Sequence, residues 1–481
     1  MSELKQKALR GVRWTTFSAV IAAAGGLIQT FVLPRLLEAQ DFALMAIVNV
    51  ALGLSTQLVD MGFSNAILRE RTPQKAQLNS FYWMNTGLGL LLAGLIWFGA
   101  PAIASFFPKL DAGKMVNLLR WMSPAFAIIG LTMQYQTLLQ KALRFKALAV
   151  IESLAFLAGF CATIALAYRG FGAWSLVCGT LVKVSLSALG LIGSGFRAHK
   201  PALHFSWFDI QPVWRFGALQ SMEKIVAYTA INLDTLLVAR LFSPGVSGAY
   251  EVSKRLLIQP WYVINPIVTK VMYPVMAQVH NDLPRFRNIA LRAIQLVALL
   301  NTPIYIACAI GAGFIVPTLF GAKWDAAIEP FRWLAVAYLV RSVLNPLGSV
   351  ILAKGRGLLA LNFQAGTFMT LLAAITVGAF YGLTGMLFAL CAFNLLLIIP
   401  CHYFIAKPLL GTRILDLWDQ VKVELMVAVG AFFIGYLVVK TWEIGWISLG
   451  TYLALGSSLY LCGLIRFRPY LMEDLRQMLP K

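Results

Sequence analysis

Charged residues are scarce in this chain of 481 residues. Lys, Arg, Asp and Glu make up 12% of it, the hydrophobic class makes up 59%, and the mean hydropathy is +0.75. Soluble domains have about 25% charged residues and about 45–50% apolar ones. The composition therefore indicates that lipid, rather than water, surrounds most of the chain.

Acidic residues are the scarcer of the two signs, with 20 Asp and Glu against 40 Lys and Arg and a formal charge of +20. In a soluble protein this excess would suggest nucleic acid as a partner. Here most basic residues lie between apolar runs, on alternate loops, as topology determinants of membrane proteins do. We therefore expect no nucleic-acid partner.

The chain also lacks the motifs of metal, thiol and loop-based catalytic chemistry. Its six cysteines lie in or at the ends of apolar runs without a C-x-x-C pair, and its four histidines are scattered. The longest connector runs only from Gly193 to Trp214, and its sole acidic residue is Asp209. These features predict no metal, no resident cofactor and no enzymatic activity.

Long apolar runs dominate the sequence. A helix needs about 20 apolar residues to cross the hydrocarbon core. On that basis we predict an all-α polytopic membrane protein with about fourteen spans. They are 14–36, 42–62, 80–103, 117–138, 148–168, 172–193, 215–241, 247–274, 290–310, 328–352, 360–380, 384–405, 424–440 and 445–465. The first run is followed by no A-x-A cleavage site, so we expect it to be retained.

The distribution of basic residues predicts the orientation. One alternating set of loops holds most of them, including Lys5, Arg69, Lys141, Arg285 and Arg466, and the opposite set holds few. Because basic residues are retained on the cytoplasmic side, both termini are expected in the cytoplasm.

An internal repeat appears when the chain is shifted by 205 positions. Arg10 then aligns with Arg215, and residues 33–37 align with 238–242. Six spans separate the copies, so both halves have the same orientation and are expected to be related by a pseudo-two-fold axis along the membrane normal. We expect two six-helix bundles around a central cavity, at 1–193 and 215–405, a cytoplasmic connector at 194–214, and two further helices with a tail at 406–481.

Several motifs carry a resemblance that runs nearly from end to end. They are DMGFSNAI at 60–67, FYWMN at 81–85, KPALHFS at 200–206, NPIVTKVMYP at 265–274, FGAKW at 320–324 and RSVLNPLGS at 341–349. With them the chain resembles the MOP superfamily, and within it the polysaccharide flippases of the colanic-acid-exporter (Wzx) type.

The resemblance implies a multi-pass protein of the bacterial inner membrane that works by alternating access. Its cargo would be an undecaprenyl-pyrophosphate-linked oligosaccharide repeat unit, moved from the cytoplasmic to the periplasmic leaflet for exopolysaccharide, capsule or O-antigen production. A polysaccharide polymerase and glycosyltransferases would be its partners. The alternatives are a multidrug or cation-coupled exporter of the same superfamily and, less favoured, a membrane polymerase or ligase.

Charged residues within spans are costly and usually face a cavity or a bundle interior. In the eighth span, Glu251, Lys254 and Arg255 share one helical face, to which Asn265 returns after three turns. The predicted substrate-binding residues are Lys183, Lys224, Lys254, Arg255, Lys270, Arg341, Asn265 and Asn345. The alternative is that these charges merely neutralise neighbouring acids.

Two further roles follow from the same spans. Glu223, Asp234 and Asp60 are predicted to take up H+ or Na+ and couple transport to an ion gradient, although the membrane potential alone would also drive an anion outward. Pro266 and Pro346 are predicted hinges, because proline removes a backbone hydrogen bond, although many such prolines only shape packing.

Overall fold

A computed structural model describes residues 2–69, 74–196 and 199–468. The described part is helical throughout and contains no β-strand. Its helices are α1 Ser2–Leu36, α2 Ala39–Asp60, α3 Phe63–Arg69, α4 Lys75–Phe106, α5 Ala112–Lys141, α6 Phe145–Tyr168, α7 Ala173–Gly195, α8 Trp207–Leu241, α9 Pro244–Gln278, α10 Leu283–Phe320, α11 Ile328–Leu344, α12 Pro346–Ala353, α13 Gly357–Ala379, α14 Gly382–Leu396, α15 Ile398–Cys401, α16 Lys407–Leu410, α17 Ile414–Asp419, α18 Lys422–Val439 and α19 Trp446–Phe467.

Each of the fourteen predicted spans lies on one of these helices or on a nearly continuous run of them. The tenth covers α11 and α12. The twelfth covers α14, α15 and most of the π-helical turn at His402–Ala406 that leads into α16. Within the described residues, eleven helical segments are long and apolar enough to cross a membrane. The prediction of an all-α, multi-pass membrane protein is thereby confirmed.

The helix bounds follow the 205-residue offset found in the sequence. Helices α1 and α8 are both 35 residues long and run from 2 to 36 and from 207 to 241. Helices α2 and α9 begin at Ala39 and Pro244, which differ by the same offset. The two pairs of helices therefore begin in the same register of the repeat.

The chain forms two compact units, Met1–Glu251 and Val252–Lys481. In the first unit, α4 packs on α5, α6 packs on α7 and α1, and α8 packs on α2. In the second unit, α10 packs against α11, α18 and α19, so the last two long helices belong to that unit's core. The two six-helix bundles with a boundary at 194–214, and the symmetry between them, stay predictions.

Helices α8 and α9 each approach α2 closely at a glycine. Helix α2 ends where Met61 and Gly62 take left-handed conformations, with φ of 39° and 75°. A Cβ atom on Gly217 of α8 would overlap the carbonyl oxygen of Met61, and one on Gly248 of α9 would overlap that of Ala39. Glycine at these two positions lets the helices approach the backbone of α2 directly.

Candidate functional site

The helical run of α11 and α12 is interrupted at Asn345, immediately before Pro346. Proline has no N–H, so it cannot donate to the carbonyl of Ser342 four residues earlier. The side chain of Asn265 in α9 donates to that carbonyl instead, with its Nδ2 3.0 Å from the oxygen. The N–H of Asn345 donates to the same oxygen at 3.2 Å. An asparagine from another helix thus satisfies a carbonyl that the proline leaves without its usual donor.

Asn301 of α10 extends this contact into a cluster. Its Nδ2 lies 3.1 Å from Oδ1 of Asn265 and also donates to the carbonyl of Val297 in its own helix. Asn265, Asn301 and Ser342 are buried, with 2%, 0% and 0% of their surface exposed. Three helices of the second unit therefore meet at buried polar groups, which we call the asparagine cluster (Asn265, Asn301 and Ser342).

Arg341 and Trp261 lie beside the asparagine cluster. Arg341 occupies the last turn of α11, where the helix dipole favours a cation. Its guanidinium carbon is 5.3 Å from the centroid of the Trp261 ring, a cation–π distance. Trp261 is one turn before Asn265 on α9, and it is half-buried, as is Arg341. The half-buried pair is therefore more accessible than the asparagine cluster beside it.

Several buried polar atoms at this site have no hydrogen-bond partner among the described residues. They are Nε1 of Trp261, Oγ of Ser342 and Oδ1 of Asn301. Buried polar groups nearly always have partners in protein or water, so an exception calls for an explanation such as a bound molecule or water. Of these atoms, Nε1 of Trp261 lies on a half-buried side chain beside the guanidinium of Arg341. A guanidinium binds phosphate through two parallel hydrogen bonds, so this pair suits a ligand with phosphate and hydroxyl groups.

The other predicted binding residues of the second unit lie along α9 and at the α11–α12 break. Lys254 is buried with 4% of its surface exposed, and Arg255 is half-buried beside it. Asn345 is half-buried and marks the interruption. The side chain of Lys270 lies outside the described part of the structure.

The two predicted hinge prolines lie in different settings. Pro266 lies within the continuous helix α9, and Pro346 opens α12. Their roles stay predictions.

In the first unit, two predicted residues form an ion pair. Nζ of Lys224 in α8 is 3.5 Å from Oδ2 of Asp60, and the lysine side chain is 36% exposed. The other carboxylate oxygen of Asp60 accepts from the backbone N–H of Ser64 at 3.1 Å. Asp60 therefore closes the turn after α2 and also contacts α8.

Asp234 and Lys183, the other described candidates of this unit, are in separate places. Oδ2 of Asp234 accepts from the hydroxyl of the buried Tyr250 at 2.5 Å, and its Oδ1 accepts from the N–H of Thr235. Nζ of Lys183 is 5.9 Å from the ring centroid of Phe156. The side chain of Glu223 lies outside the described residues, so its predicted coupling role has no structural account.

Trp261, Asn301 and Ser342 are functional candidates that the sequence prediction did not include. Two of them had a usable signal. Trp261 is four residues before Asn265, and Ser342 is four residues before Pro346, which are the spacings of adjacent helical turns. Asn301 is buried on a helix remote in sequence, and no local pattern points from it to Asn265.

The family model described as "Polysaccharide biosynthesis protein" matches residues 32–329. The chain belongs to this family. It is 30% identical to the lipopolysaccharide biosynthesis protein WzxC of Escherichia coli strain K12, over 90% of this chain and 89% of that protein. The resemblance inferred from the sequence motifs is thereby confirmed.

Solved structures of membrane transporters share the fold. The inward closed conformation of the lipid II flippase MurJ superposes with a TM-score of 0.76 at 15% identity, covering 96% of this chain and all of that chain. An inward-facing MATE multidrug transporter of the MOP superfamily superposes with a TM-score of 0.64 at 16% identity, covering 84% and 96%. At such identities the likeness establishes the MOP-superfamily fold alone.

Proposed function

We propose that this protein flips an undecaprenyl-pyrophosphate-linked oligosaccharide repeat unit across the bacterial inner membrane, from the cytoplasmic to the periplasmic leaflet. The observation that carries the proposal is the Arg341–Trp261 pair beside the asparagine cluster. The family of polysaccharide biosynthesis proteins supports a sugar cargo, and the MurJ-like fold suits a lipid-linked one.

The chemistry of Arg341 favours an anionic headgroup. An uncompensated cation in the bilayer costs several kcal/mol, so one that is retained usually contacts an anion or lines a watery cavity. Among the described residues, no ion pair of Arg341 within 4.0 Å accompanies its contact with Trp261. A pyrophosphate offers paired oxygens to its planar fork, and sugar rings stack well on an indole.

The first experiment follows radiolabelled undecaprenyl-linked sugars in cells that lack this protein. We expect complete repeat units to accumulate in the cytoplasmic leaflet while polymer export stops. If repeat units reach the periplasm and only polymerisation fails, the flippase proposal is wrong and the protein acts as a polymerase instead.

The site is tested by restoring variants to these cells at equal protein levels. Arg341→Ala should lower export about tenfold or more, because hydrogen bonds to a charged group contribute about 1.5–3 kcal/mol. Arg341→Lys should lower it less, since lysine keeps the charge and loses the fork. The matched control is Arg356→Ala, which removes an exposed arginine from the loop before α13. Normal export with Arg341→Ala would contradict the headgroup role.

Energy coupling and partners belong to the same proposal. An outward-moving anion is favoured by the membrane potential, by about 2.3 kcal/mol per charge per 100 mV. Asp60 and Asp234 are the described carboxylates that would take up H+ or Na+ if an ion gradient is used instead. Collapsing the pH gradient and, in a separate assay, the Na+ gradient at a fixed potential distinguishes the two mechanisms, since an ion-coupled flippase would stop in one of these assays and a potential-driven one in neither. Glycosyltransferases would supply the cargo and a polymerase would consume it.

A multidrug exporter is the second candidate, because a MATE transporter shares the fold. Such a protein would export cationic compounds, for which Arg341 is a poor contact. Cells lacking the protein would then become sensitive to cationic drugs while repeat units were still flipped. We expect unchanged drug sensitivity.

A further inference from the structure

A basic cavity of about 580 Å³ lies where α10 begins, against residues that flank the last helices of the second unit. Its polar lining consists of Arg285, Asn288, Arg292, Gln295, Gln420 and Arg468. None of the described lining residues is acidic. The cavity therefore presents three cations and three side-chain amides to whatever occupies it.

The regular spacing of α10 explains why four of these residues line one wall. Positions 285, 288, 292 and 295 are separated by three, four and three residues, so they fall on one face of the helix. Arg285 and Arg292 are exposed on that face, and Gln295 is buried deeper. Nε of Arg285 is 3.3 Å from Asp282, which lies one turn earlier and outside the lining.

Arg468 is held in place on the opposite wall. Its guanidinium donates to the carbonyl of Asp419 at 2.7 Å, and its Nε lies 3.7 Å from the fully buried carboxylate of Glu424. These two contacts orient the arginine at the end of α19. The third cation is therefore fixed by the fold.

The cavity is separate from the site around Arg341. Arg292 and Asn301 are both on α10, and nine residues along a helix correspond to about 14 Å. The arginines of α10 and the one after α19 belong to loops that the charge distribution predicts to be cytoplasmic. At that surface, basic pockets between helices bind the headgroups of anionic lipids.

We propose that this cavity binds the phosphate of an anionic glycerophospholipid, such as phosphatidylglycerol, from the surrounding leaflet. The arginines contact the phosphate oxygens, and the amides of Asn288 and Gln420 contact the glycerol hydroxyls. The inference does not depend on the proposed function, because lipid binding is measured without transport.

The experiment uses the purified full-length protein and native mass spectrometry. Retention of phosphatidylglycerol is compared with that of phosphatidylethanolamine carrying the same acyl chains. We expect preferential retention of phosphatidylglycerol and a loss of about fivefold in its affinity for each arginine removed in Arg285→Gln and Arg292→Gln. Arg356→Gln, an exposed arginine on another loop predicted to be cytoplasmic, should retain the preference. Arg468 is not substituted, because its removal would leave the buried carboxylate of Glu424 without this contact.

Two competitors distinguish the sources of phosphate. Undecaprenyl phosphate represents the cargo lipid, and inorganic phosphate represents the free anion. If either displaces phosphatidylglycerol at equal concentration in an arginine-dependent way, the glycerophospholipid assignment is wrong. Equal retention of the two phospholipids, or unchanged retention of phosphatidylglycerol by a variant that carries both Arg285→Gln and Arg292→Gln, would also overturn the proposal.

Discussion

Helices α2 and α9 begin at equivalent positions of the 205-residue repeat and then end differently. Asp60 and Asn265 occupy the same register, but α2 stops at Asp60 whereas α9 continues to Gln278. The following residues explain this. Met61 and Gly62 take positive φ, while the second copy has Pro266 and then Ile267, neither of which readily does.

The polar residue at this register is therefore used in two ways. In the first unit, Asp60 caps a turn and pairs with Lys224, whose side chain is partly exposed. In the second unit, Asn265 is neutral and buried. It donates to the carbonyl of Ser342, which Pro346 leaves without its usual donor. Asn265 therefore contacts other helices from within a continuous helix, whereas Asp60 contacts α8 from the end of an interrupted one.

Among the substitutions that test this difference between the two units, Asn265→Ala should have the largest effect on stability. This change leaves the Ser342 carbonyl without its side-chain donor and removes the acceptor of Asn301, so we expect a loss of about 2–3 kcal/mol in the free energy of unfolding. Denaturant unfolding in detergent measures it. Thr269→Val is the control, because its hydroxyl donates within its own helix. Equal losses in the two variants would show that the buried contact adds nothing.

A double substitution tests the reason for that loss. Pro346→Ala restores an N–H four residues after Ser342, so the carbonyl no longer depends on Asn265. Added to Asn265→Ala, it should recover about 1–2 kcal/mol more than it gives in the wild type. Additive effects would mean that Asn265 does not compensate for the proline. Export assays on Pro346→Ala would also test its predicted role as a hinge.

Much of this architecture was predictable from the sequence. Eleven of the fourteen spans coincide with helices that are long and apolar enough to cross a membrane, because an apolar run of membrane length leaves little choice of structure in lipid. The register of the repeat was also predictable, since Arg35 and Arg240 recur at the ends of α1 and α8. The partners of Asn265 were not, because its contact with Asn301 depends on how α9 and α10 pack. Residue type identified Asp60 and Lys224 as candidates, but only the packing of α8 on α2 pairs them.

Gly248 offers a smaller test at the start of the same two helices. Its equivalent in the first copy is Ala43, so Gly248→Ala makes the copies alike. The added Cβ would overlap the carbonyl of Ala39, and we expect a loss of about 1–2 kcal/mol in stability. Gly245→Ala, three residues earlier in the helix with open space around it, is the matched control. A stabilised Gly248→Ala variant would contradict the close approach.

Asp60→Asn should have the smallest effect on stability. Asparagine keeps an oxygen for the N–H of Ser64 and loses only the ion pair with the partly exposed Lys224, which contributes at most about 1 kcal/mol. Thermal unfolding should therefore shift little, and Lys224→Gln should shift it by the same amount. Because stability is preserved, an export defect in Asp60→Asn that Lys224→Gln does not share would indicate a need for the carboxylate itself, as ion coupling requires. Normal export in both variants would assign Asp60 to the turn after α2 and would leave Asp234 as the described carboxylate that could couple transport to an ion gradient.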